Sequence, residues 1–218
     1  MHEVDIAGER LYLHPERALI WPARRTAFVA DCHFGKGAVF RRAGIALPSG
    51  SAAQDLERLT SLIQEQALER LVILGDFFHG RPSDNEPFRQ AFTTWRQSHR
   101  QLALEVIVGN HDRHAGHGRH DWAVDWRPAG SELGPFTLAH EPVATATERY
   151  CLAGHVHPAV QLRGQGDRIR LPVFWLQPHQ AILPAFGSLT GGHTIRPATG
   201  DRLFGLGDNR IIPLPCSS

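Results

Sequence analysis

The residues best suited to chemistry are aspartates, histidines and one asparagine, gathered in five short groups. They are Asp31-x-His33, Gly75-Asp76, Gly109-Asn110-His111-Asp112, His140 and Gly154-His155-Val156-His157. Each group alone is weak, because D-x-H arises by chance and a single histidine at a strand end usually serves as a hydrogen-bonded structural residue. H-x-H says more, since alternate residues of an extended segment point the same way. Together the groups offer hard oxygen and borderline nitrogen donors without thiolate, a set that suits Mn²⁺, Fe²⁺ or Zn²⁺ and not Cu(I) or an iron–sulfur cluster. One carboxylate among several imidazoles can bridge two cations, and a pair about 3.5–4 Å apart clamps in-line displacement at phosphorus. The chemistry expected is phosphoester hydrolysis.

These groups need elements to position them, and they fall where short apolar runs end. Thr26 to Ala30 runs into Asp31, Leu71 to Leu74 into Gly75-Asp76, and Leu102 to Val108 into Gly109-Asn110. Between the first two, Ser51-Ala-Ala-Gln54 reads as a capping box opening a helix with Leu56, Leu59, Leu62 and Ile63 at helical spacing. Between the second and third, Phe88, Phe92 and Trp95 form an aromatic stripe expected to pack in the core. Strands alternating with helices predict a parallel sheet whose ligands collect at the carboxyl ends. From about Gly134 the texture changes to short strands between Gly, Pro and Gln: PFTLAH, RYCLAGH, AVQLRG, RIRLPVFWLQ, QAILPAF, RLFGLG and RIIPL. A β-rich second half packed on an α/β first half is expected, in a single domain spanning 1–218, because no linker or repeat interrupts the chain.

Composition narrows the class. The 218 residues carry 23 Lys plus Arg against 22 Asp plus Glu, with 42% hydrophobic residues, which excludes a disordered chain and any argument from bulk basicity. Cys32, Cys151 and Cys216 form no C-x-x-C pair, so neither a disulfide framework nor a thiolate zinc site is indicated. The start, MHEVDIAGER, lacks a signal-peptide pattern, and no apolar run approaches the ~18 residues of a membrane span, so a cytoplasmic protein without membrane contact is expected. Between Cys32 and Gln54 there is no acidic residue, while Lys36, Arg41 and Arg42 are all present. That segment is either a solvated face or a rim that contacts a nucleic-acid backbone. The run RHAGHGRH from Arg113 is similarly basic, and its His114, His117 and His120 are left outside the metal set.

The ordered set D-x-H, G-D, G-N-H-D, H and G-H-x-H, spanning residues 31 to 157, resembles the signature of the calcineurin-like metallophosphoesterase superfamily. The resemblance implies an α/β fold in which a β-sandwich is flanked by helices. It assigns Asp31, His33, Asp76 and His157 to one metal and Asp76, Asn110, His140 and His155 to the other, with Asp76 as the bridge. His111 would then protonate the leaving oxygen, Asp112 would orient its ring, and water activated by the metals would make a Ser or Cys nucleophile unnecessary.

The stretches ADCHFGKGAVFRRAGIALPSG, LVILGDFFHGR, GNHDRHAG, LAHEP, CLAGHVHPAVQLRG and LPAFGSLTGG look like one branch, the ligase-associated DNA damage response endonucleases, from about residue 10 to 212. This branch resemblance implies a phosphodiesterase holding two divalent ions, Mn²⁺ ahead of Fe²⁺ or Zn²⁺. It also implies DNA, single-stranded, as substrate, and a DNA ligase and a helicase as partners in repair. One departure from the wider superfamily stands out: Gly75-Asp76-Phe77-Phe78-His79-Gly80 lacks both the x-x-D continuation and the arginine of the phosphoprotein phosphatases. A monoester carries more charge than a diester and gains more from a guanidinium, so the absence favours a diesterase. His79 is open between supporting a ligand, contacting phosphate and a structural role. Two other functions stay open: hydrolysis of small nucleotide diesters or pyrophosphates, and a non-catalytic scaffold. The intact ligand set and His111 argue against the scaffold.

Overall fold

The computed structural model describes residues 1–45, 50–81, 85–115, 122–164 and 167–215. Apolar and polar residues alternate through β1 (His2–Ile6) and β2 (Glu9–His14), which buries Val4, Ile6, Leu11 and Leu13 on one face. With β3 (Ala18–Trp21) and β4 (Thr26–Val29) they form antiparallel pairs in succession. Then β4, β5 (Arg70–Ile73), β6 (Ala103–Ile107) and β7 (Val124–Arg127) pair in parallel, completing a seven-stranded sheet in chain order. The parallel part is as expected; the antiparallel strands before Thr26 extend it.

The crossovers are α1 (Lys36–Arg42), α2 (Ser51–Glu65) and α3 (Glu86–Ser98), and α4 (Asn110–Ala115) follows β6. Lys36, Arg41 and Arg42 of the basic segment thus stand on a short helix. In α2 the expected capping box does not form. Gly50 is the N-cap at φ 105°, no side chain caps the end, and Ser51 already lies inside the first turn. A left-handed cap is open to glycine, so the turn closes through the backbone instead, from Gln54 N to Gly50 O at 2.9 Å. In α3 the Asn85 side chain accepts from Phe88 N, and Phe88, Phe92 and Trp95 are buried as the stripe predicted.

All seven expected strands of the second half form, within β9 (Phe136–Leu138), β10 (Tyr150–Ala153), β11 (Pro158–Gly164), β12 (Asp167–Leu176), β13 (Gln180–Ile182), β15 (Arg202–Gly207) and β16 (Arg210–Leu214). With β8 (Ser131–Leu133) and β14 (His193–Thr194) they make the second sheet, ordered β14-β11-β12-β13-β10-β9-β8, with β15 on β12 and β16 on β15. One core lies between the sheets, where Trp21, Phe28, Val72 and Leu74 meet Phe136, Leu152 and Phe174. The other lies between the first sheet and the helices, where Ala27, Val29, Leu71 and Ile73 meet Leu56, Leu59, Phe92 and Trp95. Neighbours along β4 and β5 point to opposite cores, so these strands are apolar throughout. The layers run helices, sheet, sheet, and among the described residues no helix is long and apolar enough to cross a membrane.

Candidate metal centre

The strand ends are held in an unusual backbone conformation. Asp31, His33, Asp76, His155 and His157 all have positive φ, between 47° and 68°. For a residue with a Cβ this costs about 1–2 kcal/mol, and it persists only where surroundings impose it. For Asp31, His33 and Asp76 the surroundings are backbone bonds that continue the β4–β5 pairing past the strand ends. Asp31 N donates to Gly75 O at 3.2 Å, His33 N to Asp76 O at 2.8 Å, and Phe34 N to Phe77 O at 2.9 Å. Two glycines allow the close approach. A Cβ on Gly75 would stand 2.2 Å from His140 Nδ1, and one on Gly109 would stand 2.3 Å from Asp76 N.

Asp31, His33 and His157 form one group. The Nε2 atoms of His33 and His157 are 3.3 Å apart, and His157 Nε2 is 3.3 Å from Asp31 Oδ1. Asp31 is fully buried; its Oδ2 accepts from His155 N, but Oδ1 has no hydrogen-bond partner. A buried oxygen left without a donor costs about 1–3 kcal/mol, and a cation among these three side chains removes that cost. Asp76, Asn110, His140 and His155 form the second group. Asn110 Oδ1 lies 2.9 Å and His155 Nδ1 3.0 Å from His140 Nε2. His140 Nδ1 donates to Leu74 O at 3.1 Å, a carbonyl that can only accept, which turns Nε2 toward the group. Asp76 stands between the groups: its Oδ2 is 3.7 Å from His33 Nε2 and its Oδ1 is 3.4 Å from His140 Nε2. This donor set, oxygen and imidazole without thiolate, fits divalent metal ions. Cys32, next to Asp31, contributes nothing, because burial drives its thiol well above the usual range.

Around this core sit the residues expected to touch substrate. Burial first, then the charge of Lys36, lowers His33 to about 2, so its ring is neutral. Its Nδ1 is 3.4 Å from His79 Nδ1, a contact no sequence spacing announced. His79 is itself lowered to about 4, by burial and then by His111 and Lys36. It stacks on His111 with centroids 4.8 Å apart. His111 is 38% exposed, with Nε2 at 3.9 Å from Asp76 Oδ2.

Asp112 differs from expectation. Its carboxylate accepts from Phe77 N at 3.3 Å, Phe78 N at 2.9 Å and Gly109 N at 3.0 Å. Successive residues of a helix point about 100° apart, which turns Asp112 inward as His111 faces out. Its place is therefore to tie the loop after β5 to the loop after β6, not to orient the His111 ring. Lys36 is half-buried and feels the charges of Asp31 and Asp76, while Arg41 and Arg42 are exposed in the last turn of the same helix. His114 donates to Asn110 O; His117, His120 and Cys216 lie outside the described residues.

The calcineurin-like phosphoesterase profile matches residues 24–194, a span that contains every residue of both groups. The chain belongs to the calcineurin-like phosphoesterase family. As a member it is a metal-dependent hydrolytic phosphoesterase, and among the described residues Asp31-His33-His157, Asp76-His140-His155 and His33-His79-His111 are the groups that could hold a metal ion. Among solved structures, Pseudomonas putida nuclease MPE is similar at 38% identity and TM-score 0.86, over 98% of this chain and 99% of that one. YfcE, a phosphoesterase from E. coli, is 17% identical over 86% of this chain and 96% of that one, at TM-score 0.43. AQ665 from Aquifex aeolicus, of unknown function, is 20% identical over 65% and 81%, at TM-score 0.36. No curated protein matches the chain.

Proposed function

We propose that this calcineurin-like phosphoesterase is a dinuclear, manganese-dependent phosphodiesterase that nicks single-stranded DNA in repair, residues 1–218 acting as one domain in the cytoplasm. The observation that carries the reading is Asp76, whose two carboxylate oxygens face the two separate ligand groups. Asp31, His33, Asp76 and His157 would hold one ion, and Asp76, Asn110, His140 and His155 the other. Oxygen from Asp31, Asp76 and Asn110 suits Mn²⁺. Two such ions supply an activated water and neutralise charge developing on phosphorus-bound oxygens.

The remaining work falls to the chain itself. His111, beside Asp76 and partly exposed, donates the proton that the leaving oxygen takes up. His79 accepts the Nδ1 proton of His33, which fixes the ligand tautomer and leaves its own Nε2–H to meet a phosphate oxygen. Asp112 acts through the backbone, as a positioning residue for Asp76 and His111. Lys36, Arg41 and Arg42 would meet backbone phosphates on either side of the cut. DNA as substrate is supported by likeness to a nuclease over nearly the whole chain, and by the missing phosphatase arginine. A DNA ligase and a helicase acting on the same lesions are the proposed partners.

The test is to strip the protein, reload it with Mn²⁺, Mg²⁺ or Zn²⁺, and assay circular single-stranded DNA, a chromogenic diester and a chromogenic monoester. Two ions per chain, nicking, and diester over monoester are expected, with Mn²⁺ best. A preference for the monoester, or full activity with one ion per chain, overturns the reading.

A further inference from the structure

A cavity of about 140 Å³ adjoins the metal centre and shares His33 and Lys36 with it. Its wall is otherwise drawn from α1, α2, α3 and the turn that follows Gly187. Phe88, Ala91 and Leu189 give it an apolar side, while Arg41, Ser51 and Asp55 make the rest polar. A few polar groups set beside an apolar wall fix the orientation of a ligand carrying its own donors or acceptors. The size is informative as well, since an apolar cavity of about 150 Å³ accommodates one six-membered aromatic ring. Lys36 lines the cavity as well, three residues beyond His33 on the loop and helix that leave the centre.

We propose that this cavity is a base pocket, which receives one unstacked pyrimidine next to the phosphate held at the metal centre. The proposal deepens the DNA reading and rests on it for the identity of the natural substrate. Phosphate on the ions, Lys36 alongside and a ring in the cavity amount to one nucleotide, bound at both ends. A base inside a duplex cannot enter without leaving its stack, which costs a few kcal/mol and least in a single strand. The pocket therefore accounts for single-strand selectivity without any contact to a second strand. A purine, with two fused rings, overfills the space and gains less.

The test measures binding, not turnover. Thymidine 5′- and 3′-monophosphate, deoxyadenosine 5′-monophosphate and 2-deoxyribose 5-phosphate are titrated calorimetrically into the Mn²⁺-loaded protein. At least one thymidine monophosphate should bind ten times or more tighter than the sugar phosphate, and deoxyadenosine monophosphate should gain less. Ala91→Leu, which fills the cavity, should bring the ratio to about one. Ser51→Ala, which removes a hydroxyl from the wall and serves if the first variant folds poorly, should lower it several-fold. Equal affinity for nucleotide and sugar phosphate in the wild type overturns the pocket, as does an advantage that survives both substitutions. Nicking of circular single-stranded DNA by the same preparation separates the two ideas. If DNA is cut and the base adds no affinity, only the pocket falls. If the base adds affinity and DNA is not cut, the DNA reading falls and the pocket remains as a nucleotide site.

Discussion

The two sheets enter the metal centre differently. From the first come Asp31, His33 and Asp76, all buried, on loops stitched together by backbone hydrogen bonds that prolong the strand pairing, together with the half-buried Asn110. From the second come His155, which is exposed, and His157, which is partly so, on a loop that meets the first sheet through His155 N and Asp31 Oδ2. His140 also follows a second-sheet strand, yet it sits with the rigid half, wedged over Gly75 and bonded to Leu74 O. The difference teaches a division of labour. Carboxylates, which repel one another and are costly to bury, are fixed by the better-braced half, and imidazoles stand at the open rim.

The largest expected effect breaks the rigid half at its centre. Asp76→Ala should lower phosphodiesterase activity to background and strip both ions, whereas His155→Ala at the rim should release one, as read by metal analysis after dialysis. Equal loss of both ions in the two variants would remove the contrast between the halves. Next is His111→Ala, which should slow DNA nicking by ~10²–10⁴, the usual worth of a proton donor. A p-nitrophenyl diester should lose less, because its leaving group needs little protonation, and an equal loss would assign His111 to binding instead.

Gly109→Ala probes a tight contact of the braced loops without replacing a ligand. Its Cβ would meet Asp76 N at 2.3 Å, and overpacking of this kind costs typically 1–3 kcal/mol. Thermal unfolding should show a lowered midpoint even in the metal-free protein, and an unchanged midpoint would mean that the loops yield easily. Metal removal tests whether the ions join the sheets. Each group draws side chains from both, so Mn²⁺ at 100 times its Kd should stabilise by ~2.7 kcal/mol per site. A chelator that leaves the midpoint unmoved would make the rim independent of the fold. The smallest effect concerns α1. Replacing Lys36, Arg41 and Arg42 together should flatten the log–log salt dependence of single-stranded DNA binding by about two units at most, from roughly 0.7 per phosphate. An unaltered slope would make those residues a solvated face.

Much of this was legible in the sequence, because catalytic groups punctuate apolar runs and the runs have strand length. Thr26 to Ala30 and Leu71 to Leu74 are buried on both faces, and that demand writes itself as unbroken apolar stretches. The first hairpin was legible too, in the alternation of HEVDI and ERLYLH around Ala7-Gly8, but it holds none of the chemistry and was passed over. The capping box misled because Gly50, one residue earlier, takes the left-handed cap. The contact of His79 with His33 and the grip of Asp112 on backbone amides had no periodic signal at all. Both depend on how two loops are laid side by side, and spacing along one chain segment carries no information about its neighbour.

The hydrogen bonds that run on from β4 and β5 through Gly75, Asp76 and Phe77 make the sheet a ruler. Adjacent strands lie about 4.8 Å apart, and side chains springing from two neighbouring strand ends inherit that pitch. Substituting one of these side chains changes the donors on offer, but the interval between them belongs to the backbone. A fold measured in this way sets its donors one strand apart, whatever its outer loops come to admit.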